Sequence, residues 1–286
     1  MIERVAILGT GLLGTSVGLA LRAAGFQGAI VGWNRHRAHA ETAVGMGALD
    51  RIATDPLVAA RESQVTLLAV PIYATLDLME QLAPVLGPEH LVTDVGSTKA
   101  QITDAADRLF NAPDRAGFLP GHPMAGKERG GAELGDANLF RGAVWLFTDF
   151  PAWHRSEQSA ELARNWREWV IRIGARGIDL EPQRHDELVA WVSHLPQLTA
   201  TALSGVLEDE VGEAPELKDV GGRALREMTR LGASPFSMWR DIAHTNTEAI
   251  AAALQALEQR LAHIRENLRT PELREEFEKA NRFRKE

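Results

Sequence analysis

The chain has 286 residues, enough for one large or two modest domains, and 45% are hydrophobic against 24% charged, the make-up of a globular protein with ample core. Its 31 Lys and Arg against 39 Asp and Glu leave a formal charge of −8 without a basic run, which argues against a nucleic-acid partner because phosphate neutralisation needs clustered cations. The absence of cysteine excludes disulfides, thiolate zinc sites, cysteine nucleophiles and iron–sulfur clusters.

In chain order, Val5-Ala6-Ile7-Leu8 predicts a first strand, and Gly9-Thr10-Gly11-Leu12-Leu13-Gly14 follows it and opens a helix over 12–24. A bare G-x-G-x-x-G is a weak signal, but after a strand and before a helix it is strong. Gly9 makes the tight turn, Gly11 lets the backbone approach a pyrophosphate, and Gly14 brings helix and strand together. The N–H groups of Leu12, Leu13 and Gly14 then lie at a helix N-terminus, where a diphosphate binds. The second predicted strand, Ala29-Ile30-Val31, leads to Gly32-Trp33-Asn34-Arg35 and a helix over 38–44. An acid often holds the adenosine ribose about 20 residues past the third glycine. Asn34 takes that place and Arg35 follows it. An amide bonds a ribose without repelling a 2′-phosphate, and Arg35 can pair with one, so NAD or NADP is expected with a slight preference for NADP.

Val65-Thr66-Leu67-Leu68-Ala69-Val70 predicts a third strand whose end, Val70-Pro71, belongs beside the cofactor, and a helix over 76–86 follows. Leu91-Val92-Thr93-Asp94-Val95 predicts a fourth. Ser97, Thr98 and Lys99 come next, at the carboxyl edge of the sheet, where open α/β sheets bind ligands. Ser97 or Thr98 would serve equally as a cap for the helix over 99–109. The stretch 117–142, with seven glycines, reads as a long ordered loop, and Ala143-Val144-Trp145-Leu146-Phe147 reads as a fifth strand. These alternating elements predict a parallel α/β, Rossmann-type dinucleotide-binding domain over 1–150.

From Trp153 onward nearly everything fits helical spacing, and five of the seven tryptophans (153, 166, 169, 191, 239) fall there, so an all-helical domain is expected over 151–286. Its last long helix is predicted from Ser234 as N-cap and Pro235 as first helical residue. Ile250, Leu254, Leu257, Leu261, Ile264 and Leu268 step by 4, 3, 4, 3, 4, a heptad-like seam that suits a homodimer contact or packing within the domain. No apolar stretch approaches the roughly 20 residues of a membrane span. Nor do Met1-Ile2-Glu3-Arg4-Val5 suggest a leader, so a cytoplasmic setting without membrane contact is expected.

His122 precedes Pro123, which holds it extended, and it sits amid glycines, where a catalytic histidine is the better reading. His194 and Arg230 carry no signal taken alone, and no His, Asp and Glu set has metal-ligand spacing, so no metal is expected.

Together with the 9–14 turn, several strings carry a resemblance: Asp94-Val95-Gly96-Ser97-Thr98-Lys99, Gly121-His122-Pro123-Met124-Ala125-Gly126 with Glu128, Asn138-Leu139-Phe140, Ser193-His194-Leu195-Pro196, and Thr229-Arg230 followed by Met238-Trp239-Arg240-Asp241-Ile242. In this order, over nearly the whole chain, they resemble the prephenate/arogenate dehydrogenase family of tyrosine biosynthesis. The resemblance implies an oxidative decarboxylation in which hydride passes to a nicotinamide and the ring carboxylate leaves as CO₂. Prephenate would give 4-hydroxyphenylpyruvate and arogenate would give tyrosine. By position, His122 is similar to the residue that accepts the 4-hydroxyl proton and Ser97 to its hydrogen-bonding partner and a substrate contact. Arg230 is similar to the clamp on a substrate carboxylate, while His194 and Glu128 resemble further substrate-site residues. Two departures stand out: Gly222-Arg223-Ala224-Leu225-Arg226-Glu227 replaces a segment that often holds an aromatic and an aspartate, and Asn34 replaces an acid. Another hydroxyacid or imine dehydrogenase of this architecture, or a non-catalytic nucleotide sensor, would explain the glycine turn but not the longer strings.

Overall fold

A computed structural model describes residues 1–148 and 156–285. Strands β1 (Arg4–Leu8), β2 (Ala29–Trp33), β3 (Arg51–Ile52), β4 (Val65–Leu68), β5 (Leu91–Asp94) and β6 (Gly117–Leu119) form a parallel sheet in the order β3-β2-β1-β4-β5-β6. The expected Rossmann-type α/β unit is therefore present. Its strands are short and apolar on both faces because helices cover both sides, as parallel sheets require. Helices α1 (Leu12–Ala23), α2 (Arg37–Gly45), α3 (Pro56–Arg61), α4 (Ile72–Leu82) and α5 (Ala100–Leu109) provide the crossovers. Strand order reverses between β1 and β4, which opens a crevice at their carboxyl ends.

The stretch 117–142 is not one long loop. It holds β6, then β7 (Gly121–Pro123), then a single 3-10 turn at Ala132–Leu134. Strands of three residues bounded by Gly and Pro carry no periodicity that a sequence could display. Nor does the fifth apolar run extend the parallel sheet. As β8 (Val144–Phe147) it pairs antiparallel with β7, opposite His122 at Leu146, in a separate sheet of order β7-β8-β9.

The expected boundary near 150 falls on residues outside the described ones, as does Trp153. Residues 156–179 depart from the expectation that everything past that boundary is helical domain. Helix α6 (Glu157–Arg172), capped by Ser156 accepting from Ser159 N, buries Leu162, Ala163, Trp166 and Val170 in the same core as Val5, Ile7 and Val17. Trp169 meets Phe26 edge-on at 5.2 Å. Strand β9 (Arg176–Asp179) then pairs with β8. An amphipathic helix gives the same pattern whichever domain covers its apolar face, so spacing alone cannot assign α6.

The purely helical part begins at α7 (Pro182–Val189) and continues through a π-helical turn (Ala190–His194) into α8 (Leu195–Val211). After it come α9 (Leu217–Val220), α10 (Arg223–Thr229), a 3-10 turn (Arg230–Ala233), α11 (Phe236–Thr245), α12 (Thr247–Glu266) and α13 (Glu272–Lys285). The expected long helix from Ser234 is interrupted at Asn246, and Ser234 Oγ donates to Gln197 Oε1 at 3.1 Å instead of capping. Ala190 together with Ile242 of α11 and Ile250 of α12 enters the core that α4 and α5 form against the sheet, which docks this helical part on the α/β unit.

Candidate active site

The glycine turn has the geometry that its spacing predicts. Gly9 sits at φ +103°, and a Cβ there would lie 2.2 Å from Ala69 O and 2.7 Å from Val70 Cγ1. A Cβ on Gly14 would meet Gly9 O at 1.9 Å, so helix and strand touch through glycine alone. At Gly11 a Cβ would meet nothing within 4 Å: this glycine faces open space. Helix α1 has no side-chain cap on Gly11, and the buried Thr10 Oγ1 has no protein partner. The N–H groups of Leu12, Leu13 and Gly14 therefore face an open cradle suited to a diphosphate, and the residues present fit a dinucleotide. Val70 packs at the floor of that turn and Pro71 begins α4 beside it. Asn34 closes β2 next to the turn, where Gly9 N donates to Trp33 O at 2.8 Å. Its Oδ1 accepts from His36 N at 2.9 Å, and Arg35 beside it is exposed.

Beyond the crevice a chain of buried side chains converges. His122 is buried on β7, and its Nδ1 lies 2.9 Å from His185 Nε2. His185 Nδ1 lies 2.7 Å from Asp186 Oδ1. An ionised carboxylate only accepts, so His185 carries its proton on Nδ1 and, when neutral, accepts at Nε2. His122 must then donate from Nδ1, which leaves the lone pair on Nε2. That nitrogen has no partner among the described residues, so the arrangement presents a proton acceptor of fixed tautomer.

Burial pushes the His122 pKa well below its ordinary value, and the neighbouring His185, Lys99 and His194 push it the same way. His185 is lowered by burial, with Asp186 opposing. His194, in the π-helical turn, is lowered to about 4, chiefly by burial. Its Nδ1 is 3.4 Å from Asn246 Nδ2, its ring meets Trp239 edge-on at 5.8 Å, and its Nε2 is buried without a protein partner. A wide turn is a common way to aim one side chain into a site.

Behind His122 a buried ion pair, Lys99 with Asp94, ties the start of α5 to the end of β5. Asp94 also accepts from Gly96 N at 2.7 Å and from Gly121 N at 3.1 Å, so one carboxylate fixes the start of β7 against the end of β5. Burial lowers the Lys99 pKa and Asp94 opposes this.

Ser97 is partly buried on the loop between β5 and α5, but His122 bonds His185 and not Ser97 as the resemblance implied. Arg230 and Glu128 form an ion pair that links the helical part to the loop after β7. Asp94 and Lys99 stand in the 94–99 string that carries the resemblance, but nothing in the sequence gives them a part in the site, and His185, Asp186 and Asn246 lie outside every such string. For His185 and Asp186 the signal is the His-Asp pair behind Glu181-Pro182, and it is faint: helix starts are rich in such residues.

A dinucleotide cradle at the switch point of a parallel sheet, with a buried histidine acceptor at the neighbouring strand end, defines a nicotinamide-dinucleotide-dependent oxidoreductase with a helical second part. Residues 17–175 match the family described as "Prephenate dehydrogenase, nucleotide-binding domain" and residues 181–282 match "Prephenate dehydrogenase, dimerization domain". The chain belongs to the prephenate dehydrogenase family. It is 31% identical over 263 residues to a prephenate dehydrogenase of Lactococcus lactis, covering 92% of this chain and 70% of the relative. A prephenate dehydrogenase of A. aeolicus, solved with hydroxyphenyl propionate and NAD+, is similar at TM-score 0.83 and 26% identity over 100% of this chain and 96% of that one. The arogenate dehydrogenase of Synechocystis is similar at TM-score 0.77 and 27% identity over 99% of each chain.

Proposed function

We propose that the protein converts prephenate to 4-hydroxyphenylpyruvate and CO₂, with His122 as the group that accepts the 4-hydroxyl proton. The free Nε2 of His122, held in one tautomer by His185 and Asp186, is the observation that carries this reading. Gly9, Gly11, Leu12, Leu13, Gly14, Asn34, Arg35, Val70 and Pro71 would hold the dinucleotide, whose nicotinamide, when bound, would supply the hydride acceptor. His122 takes the proton as the ring oxygen becomes a carbonyl, and returns it to the phenolate oxygen once CO₂ has left. Hydride removal and aromatisation drive the bond changes, so the protein positions the substrate and handles one proton. Ser97 contributes a hydroxyl at the substrate oxygen, His194 its buried and unmatched Nε2, and Arg230 a cation for a substrate carboxylate, shared with Glu128.

Arogenate is the second reading, favoured by the likeness over 99% of the chain to an arogenate dehydrogenase. The two substrates differ only in the side chain. Reduction of cofactor measured with each substrate, and with NAD and NADP in parallel, decides between them. Turnover with neither substrate overturns both readings.

NADP is proposed as the preferred cofactor because Asn34 lacks a charge that would repel a 2′-phosphate and Arg35 stands exposed beside it. Replacing Asn34 with Asp is expected to move the ratio of kcat/KM values about tenfold toward NAD, the effect of roughly 1.4 kcal/mol. An unchanged ratio removes Asn34 from the cofactor site.

The helical part is proposed to form a homodimer. Beyond Ala175, the buried hydrophobic residues among those described are Val189, Ala190, Ala200, Ile242, Ile250 and Ala253, too few for a self-sufficient core. Leu254, Leu261 and Leu268 of the expected seam are exposed, and so are Phe277 and Phe283 of α13. Apolar faces of that extent are normally covered by a second copy. Sedimentation is expected to give twice the chain mass at micromolar concentration, and a monomer there rejects the dimer. Biosynthetic chemistry of this kind is consistent with the cytoplasm.

A further inference from the structure

Helix α5 starts without a cap of its own: Lys99 stands at the N-cap position and makes no side-chain bond to the first turn. The missing cap comes from the helical part. Asp186 of α7 is buried, and its Oδ1 accepts from Lys99 N at 2.7 Å while its Oδ2 accepts from Ala100 N at 3.0 Å. The same Oδ1 faces His185 Nδ1 at 2.7 Å. Asp186 is held in turn through its own carbonyl, which accepts from Asn246 Nδ2 at 2.8 Å. A carboxylate at a helix N-terminus is stabilised as the anion by the free N–H groups and the helix dipole.

We propose that Asp186 is a positioning residue for the reaction: by capping α5 from the other part of the chain it remains an obligate acceptor, fixes the proton of His185 on Nδ1, and so keeps the lone pair of His122 on Nε2. This rests on the reading of His122 as proton acceptor. Three N–H groups, those of Lys99, Ala100 and His185, converge on two oxygens. An amide in place of the carboxylate has a single oxygen, so either orientation sets an NH₂ against an N–H. In the orientation with NH₂ toward His185, that ring must accept at Nδ1 and donate from Nε2. His122 is then driven to carry its proton on Nε2 and has nothing with which to accept another. In either orientation the charge that supports a cationic His122 is gone. The other titratable groups facing this pair are Lys99 at the start of α5, Asp94 at the end of β5 and His194 in the π-helical turn.

The test is a double-mutant cycle on the full chain with Asp186→Asn and His185→Phe, read by kcat, the acidic limb of the pH profile and Tm. Asp186→Asn is expected to lower kcat about tenfold or more, the effect of exchanging a charge-assisted bond for a neutral one. The acidic limb should move to lower pH, since the imidazolium loses its anion. His185→Phe leaves both capping bonds in place, so kcat should fall with Tm near that of the parent. In the His185→Phe background, Asp186→Asn should cost no further activity. An equal fold-loss in both backgrounds, or a lower Tm with kcat and pH limb unmoved, makes Asp186 a helix cap only and overturns the proposal. Should Asp186→Asn not fold, His185→Phe with full kcat and an unshifted limb overturns it as well. His122→Asn is run alongside: retention of its rate rejects the acceptor reading itself, whereas loss of rate with an additive cycle rejects only the role of Asp186.

Discussion

Replacing His122 with Asn is expected to lower kcat by about 10²–10⁴, the usual contribution of a positioned proton acceptor. The amide is similar in size and still donates toward His185, so the fold and the glycine turn should be untouched and cofactor affinity should persist. The pH profile gives the second reading. Burial and the neighbours His185, Lys99 and His194 hold the imidazole well below its ordinary pKa of 6.5. Only the neutral ring accepts a proton, so activity should rise as pH increases through that lowered value and be flat around neutrality. In His122→Asn the acidic limb should disappear with the group that caused it. A variant that keeps both its kcat and its limb would falsify His122 as the acceptor.

Arg230→Ala should raise the substrate KM about ten- to a hundredfold, since a charge-assisted hydrogen bond contributes about 1.5–3 kcal/mol. The cofactor KM should stay put, because Arg230 stands on the helical part and the glycine turn on β1 and α1. Glu128 sharpens this expectation. Its carboxylate now holds the guanidinium, although the pair is largely open to solvent on the arginine side and so weak by itself. A substrate carboxylate competes for the same cation, and Glu128→Gln should lower the substrate KM by a few-fold at most. An Arg230→Ala enzyme with an unaltered substrate KM takes Arg230 out of the site.

The cofactor end was legible because its physics is local. A glycine at φ +103° and a helix touching a strand through Gly14 leave their mark in six consecutive residues. The strand order and the reach of the α/β unit were harder, because they depend on partners far along the chain. Trp166 belongs to the core of β1, yet nothing between residues 150 and 180 announces which side of a boundary it will pack on. The chemical end was half visible. His122, His194 and Arg230 stand in strings long enough to be distinctive, but His185 and Asp186 act through a contact 63 residues away in one case and 87 in the other. Side chains that matter for where they meet leave no spacing to count.

The π-helical turn at Ala190–His194 inserts one wide turn into an otherwise continuous run from α7 to α8. A π turn holds one more residue than an α turn for nearly the same sweep about the axis, so the extra residue is taken up locally and α7 and α8 keep their phase across it. A single-residue deletion here would therefore convert the turn to ordinary α-helix and leave α8 and the later helices nearly where they are. Its cost would fall on the site, because the wide turn is what carries His194. A deletion of the same length inside α8 has no such slack: an α-helix advances about 100° per residue, so every helical residue after it would turn to a new face. Length can be trimmed in these five residues without disturbing the later helices, and nowhere else along that run.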